Sequence, residues 1–265
     1  EIMESIAQRL GFDVSDTKIL MTLVREHLLL AEAATSRDLE DPATIEAVTS
    51  SIKSHEVLGL LHYLTIADSK ACGPGVWSEW KSRLLAELVA RVDATLAGEQ
   101  LPDTPDLIAK FPAEIDSLFI QVDLAQHELL VATNDRIGLV ADVAGILSVL
   151  RLEVRSANLD TRNGIAYQVW NVSTQFGDLP DVALIKQEIS RAISDSAWVA
   201  QRVSQLQPLL HLRRGFVPPP AQVSIAQGAS ARATVLDVRV HDAPALLHKV
   251  AATVARLHFS ILAAR

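Results

Sequence analysis

The chain has 265 residues, of which 49% are hydrophobic and 21% are charged, so it can bury enough apolar surface for two or three modest domains. Its 32 acidic residues exceed its 24 basic ones, and the net charge of -8 opposes the phosphate contacts that a nucleic-acid partner needs. A single cysteine, Cys72, excludes an intrachain disulfide and a Cys-rich zinc site, which favours a cytoplasmic location. No apolar run reaches the roughly 18 to 20 residues of a spanning helix, so no membrane partner is expected.

Residues 1–98 show helical periodicity almost throughout, with apolar residues recurring every three or four positions. The opening EIMESIAQRLGF is already amphipathic, and a chain that begins within a helix indicates a fragment of a longer protein. Longer helices are predicted over residues 17–34, 55–71 and 76–96, each with one apolar stripe that must face a core. This part of the chain is therefore predicted to be an all-α domain.

A change of pattern follows in AGEQLPDTPDLIAKFP at residues 97–112, where prolines interrupt regular structure because the ring fixes φ and removes a donor. A linker is predicted over residues 99–125. Residues 126–227 then alternate between strand-like and helical patterns in the order β-α-β-β-α-β, with AQVSIA at 221–226 as the last strand. That order predicts a ferredoxin-like fold, so the chain as a whole is predicted to be an α+β multidomain protein.

The stretch NDRIGLVADVAGILSVL returns in altered form as HDAPALLHKVAATVARL, at a constant offset of 107 residues. Any two strand-helix units share an apolar stripe, but the match of Asp135 with Asp242 favours a repeat at domain scale. A second copy is predicted to begin at residue 231 and to be incomplete at residue 265. Its unpaired strand edge should then pair with the first copy or with another chain.

His27 and Asp68 fall on separate predicted helices, where an imidazole and a carboxylate can share a divalent metal that acidifies a bound water. The competing interpretation is that His27 is a packed, hydrogen-bonded core residue, and His55 and His62 compete for the same metal role. Arg37 lies in the charged stretch TSRDLEDPATIEA, and its planar guanidinium matches phosphate oxygens. The same stretch also fits a capped, salt-bridged turn.

Two blocks of the helical region, LVREHLLLAEAATSRDLEDPATI (23–45) and LLHYLTIADSKACGPGVWSEWKSRLLAEL (60–88), resemble the latter part of a known HD domain. It is that of the bifunctional uridylyltransferase/uridylyl-removing enzymes, which modify the nitrogen-signalling protein PII. The repeat resembles the two tandem ACT domains that follow in that family, with the first at 126–227 and a second, truncated one at 231–265. The resemblance covers nearly the whole chain.

The resemblance implies a transferase domain that attaches UMP to a PII tyrosine, an HD domain that removes it with Mg²⁺ or Mn²⁺, and ACT domains that sense glutamine. Actinobacterial relatives are implied to attach AMP, so both nucleotides stay open. His27 and Asp68 match metal ligands of the family, and Arg37 is the candidate for a catalytic contact with the phosphate. The transferase domain and the His-Asp dyad of the HD domain are missing from this sequence, so the chain alone is not expected to hydrolyse modified PII.

An amino-acid site is predicted where the first strand of the repeat meets its helix. Asn134 and Asp135 stand at this junction, where either residue can cap the helix, and the amide groups of a first helical turn can bind a carboxylate. Gly138 permits close approach of the ligand, although a capped turn with a permissive glycine is the alternative. The family's Asp-Arg-x-Gly-Leu pattern is kept as Asp135, Arg136, Gly138 and Leu139, which are the predicted ligand-binding residues together with Asn134.

The second copy departs from this pattern. It has Ala243 in place of the arginine and Ala245 in place of the glycine, so the first copy is the predicted binding copy. Two other interpretations remain open at this point. One is that the chain is a non-catalytic amino-acid sensor on a helical scaffold. The other is that it is a plain helical phosphohydrolase fused to an unrelated binding fold.

Overall fold

The computed structural model describes residues 2–73, 77–99, 106–123, 126–174, 180–206, 217 and 219–264. The chain divides into two compact units. A helical unit comprises Glu1–Thr104 and Ser224–Asp237, and a sheet unit comprises Pro105–Val223 and Val238–Arg265. Within the described ranges, no helix combines the length and the apolar character that crossing a membrane requires.

The first part of the helical unit contains the helices α1 (Ile2–Arg9), α2 (Val14–Glu26), α3 (Leu29–Ser36), α4 (Pro42–Ile52), α5 (His55–Ala71) and α6 (Glu79–Leu96). The predicted all-α character of this part is confirmed in its described residues. Leu30, Leu61 and Leu88 are fully buried and lie in one core built by α3, α4, α5 and α6. That core forms because each helix repeats its apolar residues with the helical period.

The helix predicted over 17–34 is interrupted in the structure, which is a correction. It divides into α2 and α3, with His27 as the C-cap of the first and Leu28 before the second. The Nδ1 atom of His27 lies 2.8 Å from the carbonyl oxygen of Val24. In an uninterrupted helix that carbonyl would accept from the N–H of Leu28. At the end of α2 a donating imidazole satisfies the carbonyl instead.

The remaining elements begin with a short 3₁₀ helix at Leu107–Lys110. They continue with β1 (Leu118–Asp123), β2 (Glu128–Asn134), α7 (Leu139–Val149), β3 (Leu152–Arg162), β4 (Ile165–Thr174), α8 (Val182–Ser194), α9 (Ser196–Ser204), β5 (Gln222–Ala226), β6 (Val235–Arg239), α10 (Leu246–Arg256) and β7 (Ala263–Ala264). An antiparallel sheet has the order β1-β2-β4-β3-β7, and β5 pairs with β6 separately. The mixed α+β character is thereby confirmed.

The predicted order of strands in the first copy needs two corrections. AQVSIA contains β5, which pairs with β6 and is outside the larger sheet. Beside β2 lies β1, with Leu118 paired to Thr133 and Asp123 to Glu128, and this strand falls within the predicted linker 99–125. A hairpin with a loop of a few residues closes at a small entropic cost, which favours β1 as the neighbour of β2.

One buried cluster joins the sheet to α7, α8 and α9, with Trp170, Ile146 and Ile189 fully enclosed. The indole Nε1 of Trp170 donates to the amide oxygen of Gln168 over 3.0 Å, so its polar atom is satisfied within the core. A Cβ atom on Gly145 would lie 2.7 Å from Cγ1 of Val199 on α9. Any larger residue there would separate α7 from the elements packed on it.

The two copies share local geometry at the offset of 107 residues. Both α7 and α10 have 11 residues, and each follows a residue in the left-handed region, Gly138 with φ 84° and Ala245 with φ 54°. Each is also followed, one residue beyond its C-cap, by a left-handed residue, Arg151 with φ 58° and His258 with φ 59°. A shared start, length and end support the interpretation of the two stretches as a repeat.

The second copy also contacts the first. Nδ1 of His248 on α10 lies 2.7 Å from the carbonyl oxygen of Ala141 on α7, and these two positions correspond in the repeat. In addition, β7 pairs with β3 through Ala157 with Ala264 and Asn158 with Ala263. The strand edge that follows α10 is therefore paired within the sheet unit.

Exchanging glycine and alanine before the two helices should have opposite effects on stability. Ala245→Gly should raise the free energy of unfolding by about 0.5 to 1 kcal/mol, because a left-handed backbone strains a residue with a Cβ atom. Gly138→Ala should lower it by about 1 to 2 kcal/mol. Denaturant unfolding measures both changes.

The control for this prediction is Ala243→Gly, because the φ of Ala243 is not positive. That substitution should give no gain, since glycine only adds freedom to the unfolded chain there. An equal gain at Ala243 and Ala245 would contradict backbone strain as the cause.

Candidate functional site

A cavity of about 270 Å³ lies in the sheet unit between the turn that joins β2 to α7 and the C-terminal end of α10. The first copy contributes residues of the β2–α7 turn and of the first turn of α7, and the second copy contributes the wall opposite. The main lining residues are Asp135, Gly138, Leu139, Ala251, His258 and Phe259. The cavity is thus formed jointly by the two copies.

The β2–α7 turn is fixed from both sides. The N–H of Asp135 donates to the carbonyl of Gly164 over 2.8 Å, and its Oδ2 accepts from the hydroxyl of Thr161 over 3.2 Å. The N-cap of α7 is Gly138, and within this described turn no side chain caps the helix. The idea that Asn134 or Asp135 caps α7 is therefore wrong, because the turn places a left-handed glycine at that position.

Arg136 serves the protein scaffold. Its Nη2 donates to Oδ2 of Asp142 over 2.6 Å and to the carbonyl of Ile193 over 2.9 Å. Asp142 also accepts from the hydroxyl of Ser196 over 2.6 Å, and its side chain is only 8% exposed. These bonds join the β2–α7 turn to the end of α8 and the start of α9, so Arg136 positions the turn while part of it borders the cavity.

The polar groups around the cavity are of two kinds. Asp135 and Asp160 line one part of its wall, and their carboxylates also accept from Thr161 and Arg162. A carboxylate can in addition accept from an ammonium group. Val140 and Ala141 also line the cavity, and both lie in the first turn of α7. The N–H groups of a first helical turn have no acceptor within the helix. A small zwitterion, which carries one ammonium and one carboxylate group, matches both kinds of partner.

Four of the five predicted ligand-binding residues line the cavity, namely Asp135, Arg136, Gly138 and Leu139. Asn134 ends β2, is exposed, pairs with Ile165 and is outside the wall. The wall supplied by α10 and the residues after it was not foreseen. The repeat itself contained a signal for that contact, since two related helices can pack on each other through equivalent positions.

Comparison with known proteins finds relatives along most of the chain. A protein of Streptomyces coelicolor is 36% identical over 94% of this chain, and one of Mycobacterium tuberculosis is 34% identical over 93%. A protein of Caulobacter vibrioides is 29% identical over 98%. All three are named bifunctional uridylyltransferase/uridylyl-removing enzyme.

The chain is a homologue of the bifunctional uridylyltransferase/uridylyl-removing enzymes. It spans about a third of the length of these relatives, with shares of 36%, 33% and 34%. No protein-family model and no solved structure matches the chain.

The residues predicted for metal binding in this homologue lie on the helical unit. His27 is exposed at the end of α2, and its Nδ1 contact with Val24, when the nitrogen donates, leaves the lone pair on Nε2 for a metal. Asp68 is exposed in the last part of α5, a helix that packs on α2. Among the residues that the structure describes, no group of three or more His, Cys, Asp or Glu side chains is arranged to hold a metal.

The other candidates of the helical unit have different surroundings. Nδ1 of His55 lies 2.6 Å from a carboxylate oxygen of Asp93, and the ring of His62 stacks beside that of Tyr63. Arg37 is half-buried at the C-cap of α3, where its N–H donates to the carbonyl of Ala33. His55 and His27 are thus both engaged through Nδ1, so their hydrogen bonds do not distinguish them as metal ligands.

Removing the guanidinium of Arg136 should destabilise the sheet unit. Arg136→Ala leaves the buried carboxylate of Asp142 without its charged donor, and we expect the free energy of unfolding to fall by about 1.5 to 3 kcal/mol. The double variant Arg136→Ala/Asp142→Ala should lose less than the sum of the two single changes. Denaturant unfolding of the four proteins measures the coupling.

Arg155→Ala is the matched control for Arg136→Ala. Its Nη2 lies 2.8 Å from Glu153, but the two side chains are 43% and 42% exposed. An exposed pair contributes about 0 to 1 kcal/mol, so this variant should remain close to wild type. Equal losses at Arg136 and Arg155 would contradict a scaffold role for the buried pair.

Proposed function

We propose that the chain is the regulatory and nucleotide-removing part of an enzyme that modifies PII, and that its sheet unit senses glutamine. The observation that carries this proposal is the cavity shared by the two copies, with Asp135, Gly138 and Leu139 on its wall. We also propose that the sheet unit consists of ACT domains, that the helical unit is the latter part of an HD domain, and that the protein acts in the cytoplasm.

The chemistry of the cavity supports an amino acid as the effector. An α-ammonium group can approach the carboxylates of Asp135 and Asp160, and an α-carboxylate can approach the amides at the start of α7. A volume of about 270 Å³ admits a small molecule of this kind. The side chain of glutamine would then extend toward the wall formed by the end of α10.

Such a site can regulate because its two walls belong to different copies. A ligand that contacts both walls stabilises the arrangement in which α10 lies against the β2–α7 turn. It shifts the equilibrium only as far as its affinities for the two arrangements differ. A coupling free energy of about 1 to 3 kcal/mol is typical of such regulation.

The helical unit is proposed to take part in removing UMP or AMP from a PII tyrosine. His27 and Asp68 offer the kinds of donor that Mg²⁺ or Mn²⁺ accepts, but a catalytic metal needs more than these two ligands, which the intact enzyme would have to supply. When bound, the metal would supply an acidified water. Arg37 would contact the phosphate through its planar guanidinium.

Calorimetry tests the sensing proposal on the 265-residue chain. We expect one glutamine to bind per chain, and Asp135→Ala to weaken binding at least tenfold because the ligand's ammonium loses a carboxylate. Asp242→Ala is the matched control, since Asp242 is the counterpart of Asp135 in the second copy. It should leave the affinity within about twofold of wild type.

Two results would contradict the sensing proposal. One is the absence of any heat of binding with millimolar glutamine. The other is an equal loss of affinity in Asp135→Ala and Asp242→Ala, which would separate binding from the cavity.

Titration with Mn²⁺, followed by the electron paramagnetic resonance signal of the free ion, tests the metal proposal. Weak binding is expected, with a loss of several-fold in both His27→Ala and Asp68→Ala. His55→Ala is the control and should bind as wild type does, because the resemblance matches His27 and Asp68, and not His55, to metal ligands. Unchanged binding in His27→Ala would remove His27 from the site and would favour a non-catalytic sensor on a helical scaffold.

A further inference from the structure

Asp41 is a buried carboxylate of the helical unit that neither the cavity nor the proposed metal site uses. It is the N-cap of α4, with Pro42 as the first helical residue, as the sequence pattern of a cap indicates. Only 1% of its surface is exposed, and Leu39 and Thr44 beside it are also buried. A charge in such a place requires several hydrogen bonds.

The carboxylate of Asp41 binds two segments that lie far apart in the chain. Oδ1 accepts from the N–H of Ala43 over 2.9 Å, which caps α4. Oδ2 accepts from the N–H of Ala231 over 3.1 Å and from the hydroxyl of Ser230, and Ala231 follows Asp41 by 190 residues. The same side chain therefore starts a helix and anchors the loop between β5 and β6.

Ser230 is oriented toward this carboxylate by its own loop. Its Oγ accepts from the N–H of Arg232 over 3.0 Å and from that of Ala233 over 3.1 Å. With its lone pairs engaged in this way, the hydroxyl proton is directed to Asp41. Burial alone would raise the pKa of the Asp41 carboxyl, but the bonds from Ser230, Ala43 and Ala231 and the charge of Arg232 hold that pKa below its ordinary value.

The anchored loop occupies a special place in the chain. Ser224–Asp237 belongs to the helical unit, whereas the segments before and after it belong to the sheet unit. Val223 and Ile225 of β5 are 64% and 63% exposed, so burial of the strands does little to fix this hairpin. Its tip is half-buried at Ser230, where the polar contacts to Asp41 are made.

We propose that Asp41 is a positioning residue that couples the ligand state of the sheet unit to the start of α4. This inference rests on the proposed function. Glutamine in the cavity fixes α10, and only residues 240–245 separate β6 from α10. Fixing α10 therefore restrains the hairpin, and the bonds of Ser230 and Ala231 to Asp41 pass that restraint to residues 38–46 of the helical unit.

Hydrogen–deuterium exchange of the 265-residue chain, with and without saturating glutamine, tests the coupling. In the wild type, glutamine should slow exchange of the amides of residues 38–46 at least fivefold. Ser230→Ala removes the hydroxyl donor and leaves the cap of α4 intact. It should bind glutamine with an affinity within about twofold of wild type, yet lose most of the slowing at residues 38–46.

Two further variants separate coupling from mere stability. Ser230→Thr keeps the hydroxyl and should retain the response to glutamine. Asp13→Asn changes another N-cap carboxylate, which binds Ser15 and the N–H of Asp16 on α2, and should leave the response at residues 38–46 unchanged. Loss of the response in Ser230→Ala alone supports coupling through Asp41.

The outcomes for the two proposals are distinguishable. If glutamine binds but residues 38–46 do not respond, or respond equally in Ser230→Ala, the coupling is overturned while the sensor stands. If calorimetry shows that the wild type does not bind glutamine, both proposals are overturned.

Discussion

The close approach of α7 and α10 is the contact on which the architecture of the sheet unit depends. At Gly145 a Cβ atom would lie 2.8 Å from Nδ1 of His248, so the absence of a side chain lets the two helices meet. Nδ1 of His248 also lies 2.7 Å from the carbonyl oxygen of Ala141. Because the helices meet here, the end of α10 lies opposite the β2–α7 turn, and a cavity with walls from both copies follows.

The two copies differ at the positions that correspond to the β2–α7 turn, which lines the cavity in the first copy. Where the first copy has half-buried Arg136 paired with buried Asp142, the second has Ala243 and Lys249 at the corresponding positions. Both partners of the pair are thus replaced together, which avoids leaving a buried charge alone. Ala245 also has a left-handed backbone, which a glycine at this position would adopt without strain.

The sequence predicted features that depend on nearby residues and missed those that depend on distant ones. Helix α5 was predicted with its observed bounds, because its apolar stripe is a local signal, and in the structure Ser54 caps its start. The break after α2 was missed, since periodicity does not show a side chain that competes for a backbone carbonyl. Strand β1 was assigned to a linker because the prolines before it dominated the pattern.

In the candidate site, too, the sequence predicted what depends on nearby residues and missed what depends on distant ones. Asp135, Gly138 and Leu139 could be found from one short motif, and the structure places them on the cavity wall. The network around Arg136 could not be found in this way. Ile193, which accepts from Arg136, and Ser196, which donates to Asp142, are more than fifty positions away in the chain and lie on other helices. The motif therefore identified the turn, whereas the scaffold role of its arginine required the fold.

The free energy of the hydrogen bonds at Asp41 gives a reason why a coupling element would be polar. Hydrogen bonds to a charged group contribute about 1.5 to 3 kcal/mol each, and coupling between sites typically amounts to about 1 to 3 kcal/mol. An anchor of this size can be strained or released by a ligand. A hairpin held by extensive apolar burial would be too stable for that, and the exposed Val223 and Ile225 show that this hairpin is held in another way.

The anchor is also specific, because an ionised carboxylate accepts hydrogen bonds from the hydroxyl and the N–H of one loop in one register. A small polar contact at the tip of an exposed hairpin is thus suited to transmit a change without making it permanent.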